Sequence, residues 1–517
     1  MKFQRLIPFF IFTGFVWGPL IILPYDMFDG AIIQYASEVK DCSGLKIWFF
    51  EANYFLEYPL HCSLIHVGAI TNISYSTVNA IFVLLVGFVL LREVSLFSRQ
   101  VLMLKGFSAL IPALIVSSAP VWSTLVASVL TFYFLCMTLG VLAVRLIHQR
   151  TKLSSLIGFV ILAASFQYTS LLVFIPIFSY VYDALRENGN TLSRRLPLPK
   201  AKTFAVLATA VFSYLIFRII LTPTGIYEGY NNFQIPTNLE AFFNMAGHAI
   251  RFSTFLLPLT LIAGGLMIVF LTFKVATRAS DTQVSMRGII LLFAVCIAAA
   301  FPYIVVGKST TMISVWGWNA RHAFLLSIAV GLLSGAVFNN LRAVTTTGWQ
   351  RALIGLGASC IVGINLVLLS YGMIYKLNRQ IFLKELSLEI AKVNQKFPSG
   401  YLQIIGDKLP GPPIRTWEAN LLMFSTMGKA NWWTYIGDQS QDWILPEILE
   451  NAGPYRTKYV LDNDLKEPFS RTVIRIKVEG FDGRTYALQN FVQYVLTGKS
   501  NGLVKIESVI SSDGLGS

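Results

Sequence analysis

Charge is what this chain has least of. Only 13% of its 517 residues are Asp, Glu, Lys or Arg, against about 25% in an ordinary soluble chain. Hydrophobic residues make up 55%, Phe alone occurs 39 times, and the mean hydropathy is +0.61. A water-soluble fold of this size could not hide so much apolar surface, so lipid must be the solvent for most of it. Complete nucleotide and metal motifs are also missing. Gly307-Lys308-Ser309 and Gly498-Lys499-Ser500 look like the tail of a phosphate loop, but Pro302 and Gln493 stand where its first glycine belongs. No HExxH occurs and the five histidines do not cluster, which disfavours ATP-driven pumping and zinc hydrolysis. Cysteine is scarce, with no CxxC or zinc-type spacing. Cys136, Cys296 and Cys360 lie in apolar runs and read as small core hydrophobes. Internal repeats and low-complexity tracts are absent.

What is present is a series of apolar runs, about eleven, each near the ~20 residues that a bilayer requires. They fall at approximately 6–24, 75–92, 101–118, 122–144, 153–168, 170–185, 203–222, 252–273, 288–307, 322–341 and 352–375. The third, fifth and sixth are short or interrupted by proline. The first follows Lys2 and Arg5, is too long for a signal-peptide core and has no A-x-A site after it, so it reads as an uncleaved span.

The net charge of +14 is explained by orientation rather than by nucleic acid. Arg92, Arg99, Lys105, Arg145, Arg150, Lys152, Arg186, Arg194, Arg195, Lys200, Lys202, Lys274, Arg278, Arg287, Arg342 and Arg351 all fall in loops of one parity. The opposite short loops hold little beyond Arg251, Lys308 and Arg321. The excess marks the cytoplasmic side, with the N-terminus inside and the C-terminal part outside. Cys42 and Cys62 then share one outside loop, where the oxidising compartment allows a disulfide.

The expected architecture is an α-helical polytopic membrane domain over 1–375 followed by a small extracytoplasmic α+β domain over 376–517. Residues 25–74 form a first outside loop with interfacial helices, including Gly44–Leu56. Two further outside segments are 223–251 and 308–321. In the C-terminal part, 383–397 reads as an amphipathic helix, and 401–405, 472–478 and 503–509 read as strands.

Candidate chemistry gathers on the outside face. Asp26 and Asp29 follow the first span directly, spaced to share one side of a helical turn. A partly desolvated carboxylate at the membrane edge can act as a general base, although helix capping or a solvated loop would use the same residues. Arg218 lies inside the seventh span, where a guanidinium is costly unless it has a function or snorkels to the headgroups. Lys308, Arg321, His322 and Arg251 make a cationic rim suited to phosphate. Tyr227, Glu228, Tyr230, Trp316 and Trp318 supply faces for sugar or for the interfacial belt. Trp432 and Trp433 read as core of the C-terminal domain.

This arrangement resembles the GT-C class of membrane glycosyltransferases. Asp26 and Asp29 stand where that class places its catalytic acid, and Trp318-Asn-Ala-Arg-His-Ala-Phe-Leu-Leu325 looks like the Arg-bearing start of one of its late spans. Many members have adjacent acids, whereas Met27 and Phe28 separate this pair, so the resemblance leaves open which Asp corresponds. It implies a sugar moved from a polyprenyl-phosphate donor to a glycan or lipid-linked acceptor, with inversion and with Asp as base. No cofactor is required, and a divalent metal is compatible. Bacterial enzymes that decorate O-antigen or other surface polysaccharides look similar in size and layout, which implies an inner-membrane location. The alternative is a transporter or flippase of a lipid-linked or amphiphilic solute. A polymerase or ligase fits less well because 223–251 is short.

Overall fold

The computed structural model describes residues 7–23, 30–38, 40–127, 129–149, 151–187, 200–222, 283–304, 322–345, 348–394, 400–406, 432–436, 471–478, 493, 497 and 504–511. In the membrane domain these form α1 (Ile7–Trp17), α2 (Gly30–Glu38), α3 (Ser43–Glu51), α4 (Glu57–Thr71), α5 (Tyr75–Gln100), α6 (Ile111–Ser117), α7 (Trp122–Val126), α8 (Thr131–Ile147), α9 (Lys152–Ser165), α10 (Thr169–Glu187), α11 (Ala201–Tyr214), α12 (Met286–Ile304), α13 (Phe324–Val344) and α14 (Gly348–Asn394). Among the described residues, five helices are long and apolar enough to cross a membrane, and four shorter apolar helices accompany them. The protein is therefore a polytopic helical membrane protein. The span expected at 252–273 lies outside the described residues.

Local signals explain the helix ends. Ser74 accepts a bond from the Thr77 amide at the start of α5, and Thr151 accepts one from Ser154 at the start of α9. Asn72 closes α4 in the left-handed conformation, at φ 56°. Along α12, Met286, Ile290, Phe293, Ile297 and Phe301 are exposed in one stripe, while Leu291, Leu292, Val295, Ala298 and Ala299 are buried on the other face. Both faces are apolar, as expected of a helix whose exposed side meets lipid rather than water.

The crossing expected as one helix over 101–118 takes a different form. Met103 and Gly106 adopt positive φ, a short 3₁₀ turn covers Gly106–Ala109, and only the brief α6 and α7 follow. Pro112 begins α6 and Pro120 prevents its continuation. All residues of α6 and α7 are buried, the condition under which irregular backbone is tolerated at membrane depth. A helix leaves its last four carbonyls without intrahelical donors, and here each of them is met. Leu114 O takes the Ser118 amide at 3.1 Å and its hydroxyl at 2.8 Å. Ile115 O takes Asn365 Nδ2 at 3.3 Å, Val116 O takes Trp122 Nε1 at 2.7 Å, and Ser117 O takes Trp17 Nε1 at 2.9 Å.

Close approach of α13 completes the burial. A Cβ on Gly335 would come within 2.6 Å of the Pro112 ring, and one on Gly331 within 3.0 Å of the Pro112 carbonyl. The two glycines are four residues apart, the small-residue spacing that lets membrane helices pack closely. Gly87 on α5 plays the same part for the indoles of Trp17 and Trp122, which would lie 2.8 and 2.7 Å from an added Cβ.

At the end of the bundle assigned to the cytoplasm, Glu93 is buried and receives Arg145 through two bonds. Lys202 caps α8 by donating to Ile147 O at 2.6 Å and Gln149 O at 2.7 Å, and Arg186 donates to His148 O at 2.6 Å. Burial pushes the His148 imidazole down to about 4, against the opposing pull of Asp183.

The last span and the amphipathic helix expected at 383–397 are one continuous helix, α14, so the boundary expected at 376 falls within it. At 1.5 Å per residue, α14 is about 70 Å long, more than twice a ~30 Å hydrocarbon core. After it come β1 (Gly400–Gly406), β2 (Trp432–Ile436), β3 (Arg471–Val478) and β4 (Val504–Ser511), in the order β2-β1-β3-β4. β1 is parallel to β2 and β3, and β4 is antiparallel to β3. Ile404, Ile474, Ile476 and Val504 are buried in this sheet. Three of the strands fall where alternation placed them. Trp432 and Trp433, read only as core, open the fourth.

Candidate functional site at the outer end of the bundle

Several helix ends that the charge pattern assigns to the outer side meet in a continuous string of polar and aromatic side chains. It begins at His322, two residues before α13, which is buried and whose ring lies 4.6 Å from that of Tyr303 near the end of α12. The Tyr303 hydroxyl is 2.7 Å from that of Tyr133 on α8, to which Ser170 also donates at 3.4 Å. Tyr133 meets Tyr168 edge to face at 5.0 Å. Tyr168, in the turn between α9 and α10, donates its hydroxyl to Glu57 Oε1. The other oxygen of Glu57 is 3.9 Å from His61 Nε2, one turn along α4, and His61 Nδ1 is 2.6 Å from the Tyr75 hydroxyl.

The electrostatics follow from burial. Glu57 is 4% exposed and His61 is fully buried. Desolvation pushes the His61 imidazole down to about 3, so it is neutral at physiological pH. Burial first, then the Glu57 carboxylate, push the Tyr168 phenol well above its ordinary range. Tyr168 is thus a permanent donor, and its bond to Glu57 is charge-assisted whenever the carboxyl is ionised.

The first outside segment is fastened to the bundle beside this string. Asn53 is buried with φ 58°. Its side-chain amide donates to the carbonyls of Phe217 and Leu221, and its own carbonyl accepts Gln167 Nε2 at 3.1 Å. Tyr54 stacks on Tyr168 at 5.1 Å.

Two buried cations stand on α14 three residues apart, Lys376 and Arg379. Lys376 Nζ reaches Ser123 Oγ at 2.8 Å and Thr124 Oγ1 at 3.1 Å on α7. Among the described residues no group of three or more His, Cys, Asp or Glu could hold a metal ion.

The residues expected from sequence are placed as follows. His322 belongs to the string. Arg218 lies in the π-turn that ends α11. Cys42 and Cys62 are free thiols in side-chain contact; the Cys62 thiol holds Cys42 below its ordinary range, and Cys62 is pushed up by Cys42 and by burial. Asp26, Asp29, Tyr227, Glu228, Tyr230, Arg251, Lys308, Trp316, Trp318 and Arg321 lie outside the described residues.

Sequence reasoning did not single out Glu57, His61, Tyr133, Tyr168, Tyr303, Lys376 or Arg379. The acid and histidine four apart on α4 were a usable signal, as were two cations three apart just beyond an apolar run. The tyrosines gave none, because Tyr at the end of a span is what any interfacial belt supplies.

No protein-family model matches the chain, and no curated protein matches it. Among solved structures, the chain is similar to ArnT from Cupriavidus metallidurans bound to undecaprenyl phosphate, with 11% sequence identity, a TM-score of 0.43, and coverage of 99% of this chain and 98% of that one.

Proposed function

We propose that this protein is a membrane glycosyltransferase of the GT-C type, moving a sugar from a polyprenyl-phosphate donor to a glycan or lipid-linked acceptor at the extracytoplasmic face of a bacterial inner membrane. The observation that carries the reading is the string from His322 to Tyr75. Phenols, imidazoles and a carboxylate are held out of water at one end of an apolar bundle. A lipid-borne donor presents its sugar at that depth, and buried polar groups there are costly unless they have work to do.

In the proposed reaction, Asp29 or Asp26 takes the proton from an acceptor hydroxyl. That oxygen attacks the anomeric carbon and inverts it, and the phosphate leaves with the bonding electron pair. Arg218, Lys308, Arg321, His322 and Arg251 are the candidates to stabilise the departing phosphate. Tyr227, Glu228, Tyr230, Trp316 and Trp318 would face the sugar or the acceptor. The lipid phosphate is itself the leaving group, so no nucleotide enters the reaction. A divalent metal is compatible with this scheme and carries no step of it.

The test is reconstitution of the full chain with a polyprenyl-phosphate sugar and lipid-linked acceptors, with the new glycosidic bond read by mass spectrometry. Asp26→Asn and Asp29→Asn should insert normally, and at least one should lose transfer by about 100-fold or more, the scale of a lost general base. Wild-type rates in both variants would remove the Asp base.

The broken crossing through α6 and α7 favours a second reading, transport, because interrupted helices line the solute sites of many transporters. Here, however, the carbonyls ending α6 are taken by Ser118, Asn365, Trp122 and Trp17. Net movement of the lipid across vesicles without a new glycosidic bond would decide for transport.

A further inference from the structure

Of the polar groups at the outer end, Asn53 has the most unusual set of partners. After Tyr214, α11 ends in a π-turn over Leu215–Ile220. The Leu221 amide bonds back five residues to Ile216 O at 2.9 Å. In an α-helix that amide would bond to Phe217 O, so the wider turn leaves the Phe217 carbonyl without its helical donor. The Asn53 amide supplies the missing donor, and also serves Leu221 O at the helix end. Asn53 can do this because its backbone is itself held. It occupies the left-handed region, which Asn tolerates better than most residues. Gln167 holds its carbonyl, and the rings of Tyr54 and Phe55 pack on Tyr168 and Phe217.

We infer that Asn53 is a positioning residue: by supplying the donor that the π-turn needs, it sets the rotation about the helix axis of position 218 in the turn after α11, and so couples the first outside segment to the phosphate end of the donor site. The geometry is independent of function, whereas the consequence for phosphate rests on the reading of Arg218 given above. One inserted residue in a helix rotates everything beyond it by about 100°. Position 218 lies within the turn, so losing the turn would rotate it about the helix axis by part of that angle.

Two measurements on the full chain test this. In a background with the native cysteines replaced, Arg218→Cys and Tyr214→Cys are labelled with a maleimide, with Asn53 intact or as Asn53→Asp or Asn53→Gly. Both variants permit the left-handed backbone and both remove the amide donor. The labelling rate should change severalfold at position 218 and stay unchanged at 214, which precedes the turn. Equal rates at 218 in all three backgrounds overturn the inference, because the turn then holds without Asn53. A change at both positions also overturns it, because the helix as a whole has then moved.

The second measurement is binding of undecaprenyl phosphate in nanodiscs. Asn53→Asp should weaken it about tenfold, the order of one lost charge-assisted contact, and should add nothing in an Arg218→Ala background. A further tenfold loss in that background overturns positioning through Arg218. If Arg218→Ala alone binds as the wild type does, the phosphate assignment fails, and with it this consequence of Asn53. The labelling result then still decides whether Asn53 holds the turn.

Discussion

At the scale of single residues, the outer end is governed by what burial does to titratable groups. His61 is fully enclosed and its imidazole is held down to about 3, below the ordinary ~6.5 of histidine. The folded state therefore prefers the neutral ring more strongly than the unfolded chain does. Its contribution to stability is complete above about pH 6.5 and is lost progressively as the pH falls from there towards about 3. His148, held down to about 4, acts in the same direction. Thermal unfolding in detergent should show a melting temperature that falls between about pH 7.5 and pH 5, with a clearly shallower fall for His61→Gln. Identical slopes for the two proteins would show that His61 is not a group responsible. Of this site, His322 was legible because it sits beside a charged motif. Glu57 and His61 were partly legible from their spacing. Their partners were not, since Tyr75, Tyr133, Tyr168 and Tyr303 come from four separate stretches of chain that only packing brings together.

At the scale of elements, the chain most departs from its apolar pattern between residues 101 and 130. Hydropathy predicts a helix there, since burial in protein and burial in lipid select the same side chains. What decides against one long helix is local: Pro112, Pro120 and the positive-φ positions Met103 and Gly106. What makes the break tolerable is in good part distant, namely donors from Trp17 and Asn365, joined by the nearby Trp122. Asn365→Leu keeps the approximate volume but leaves Ile115 O with only the Ser118 hydroxyl as donor, and should cost about 0.5–1.5 kcal/mol. Gly335→Val should be worse, because the Pro112 ring occupies the space its Cβ needs. Thermal melts of both variants in detergent check this, and a wild-type melting temperature for Asn365→Leu would contradict the proposed role in ending α6. Gly355, with open space around it, is the control position for Ala.

At the scale of the whole molecule, the orienting charges have a second use. Arg145, Arg186 and Lys202, which mark the cytoplasmic side, also pair with Glu93 and cap the end of α8. Orientation and packing are thus set by the same residues. A C-terminal tag should be cut by protease added outside spheroplasts, and the segment 188–199 only in inverted vesicles; the reverse pattern would invert the topology and remove the outer end as a site. The membrane class and three strands of the C-terminal sheet were determined by the sequence itself, because each depends on the periodicity and hydropathy of a contiguous stretch. The broken crossing, the string from His322 to Tyr75 and the hold of Asn53 on the end of α11 were decided only in the tertiary structure. Hydrogen bonds between residues up to 253 positions apart leave no periodic trace in the chain, and a buried polar group reveals its purpose only through the partner that satisfies it.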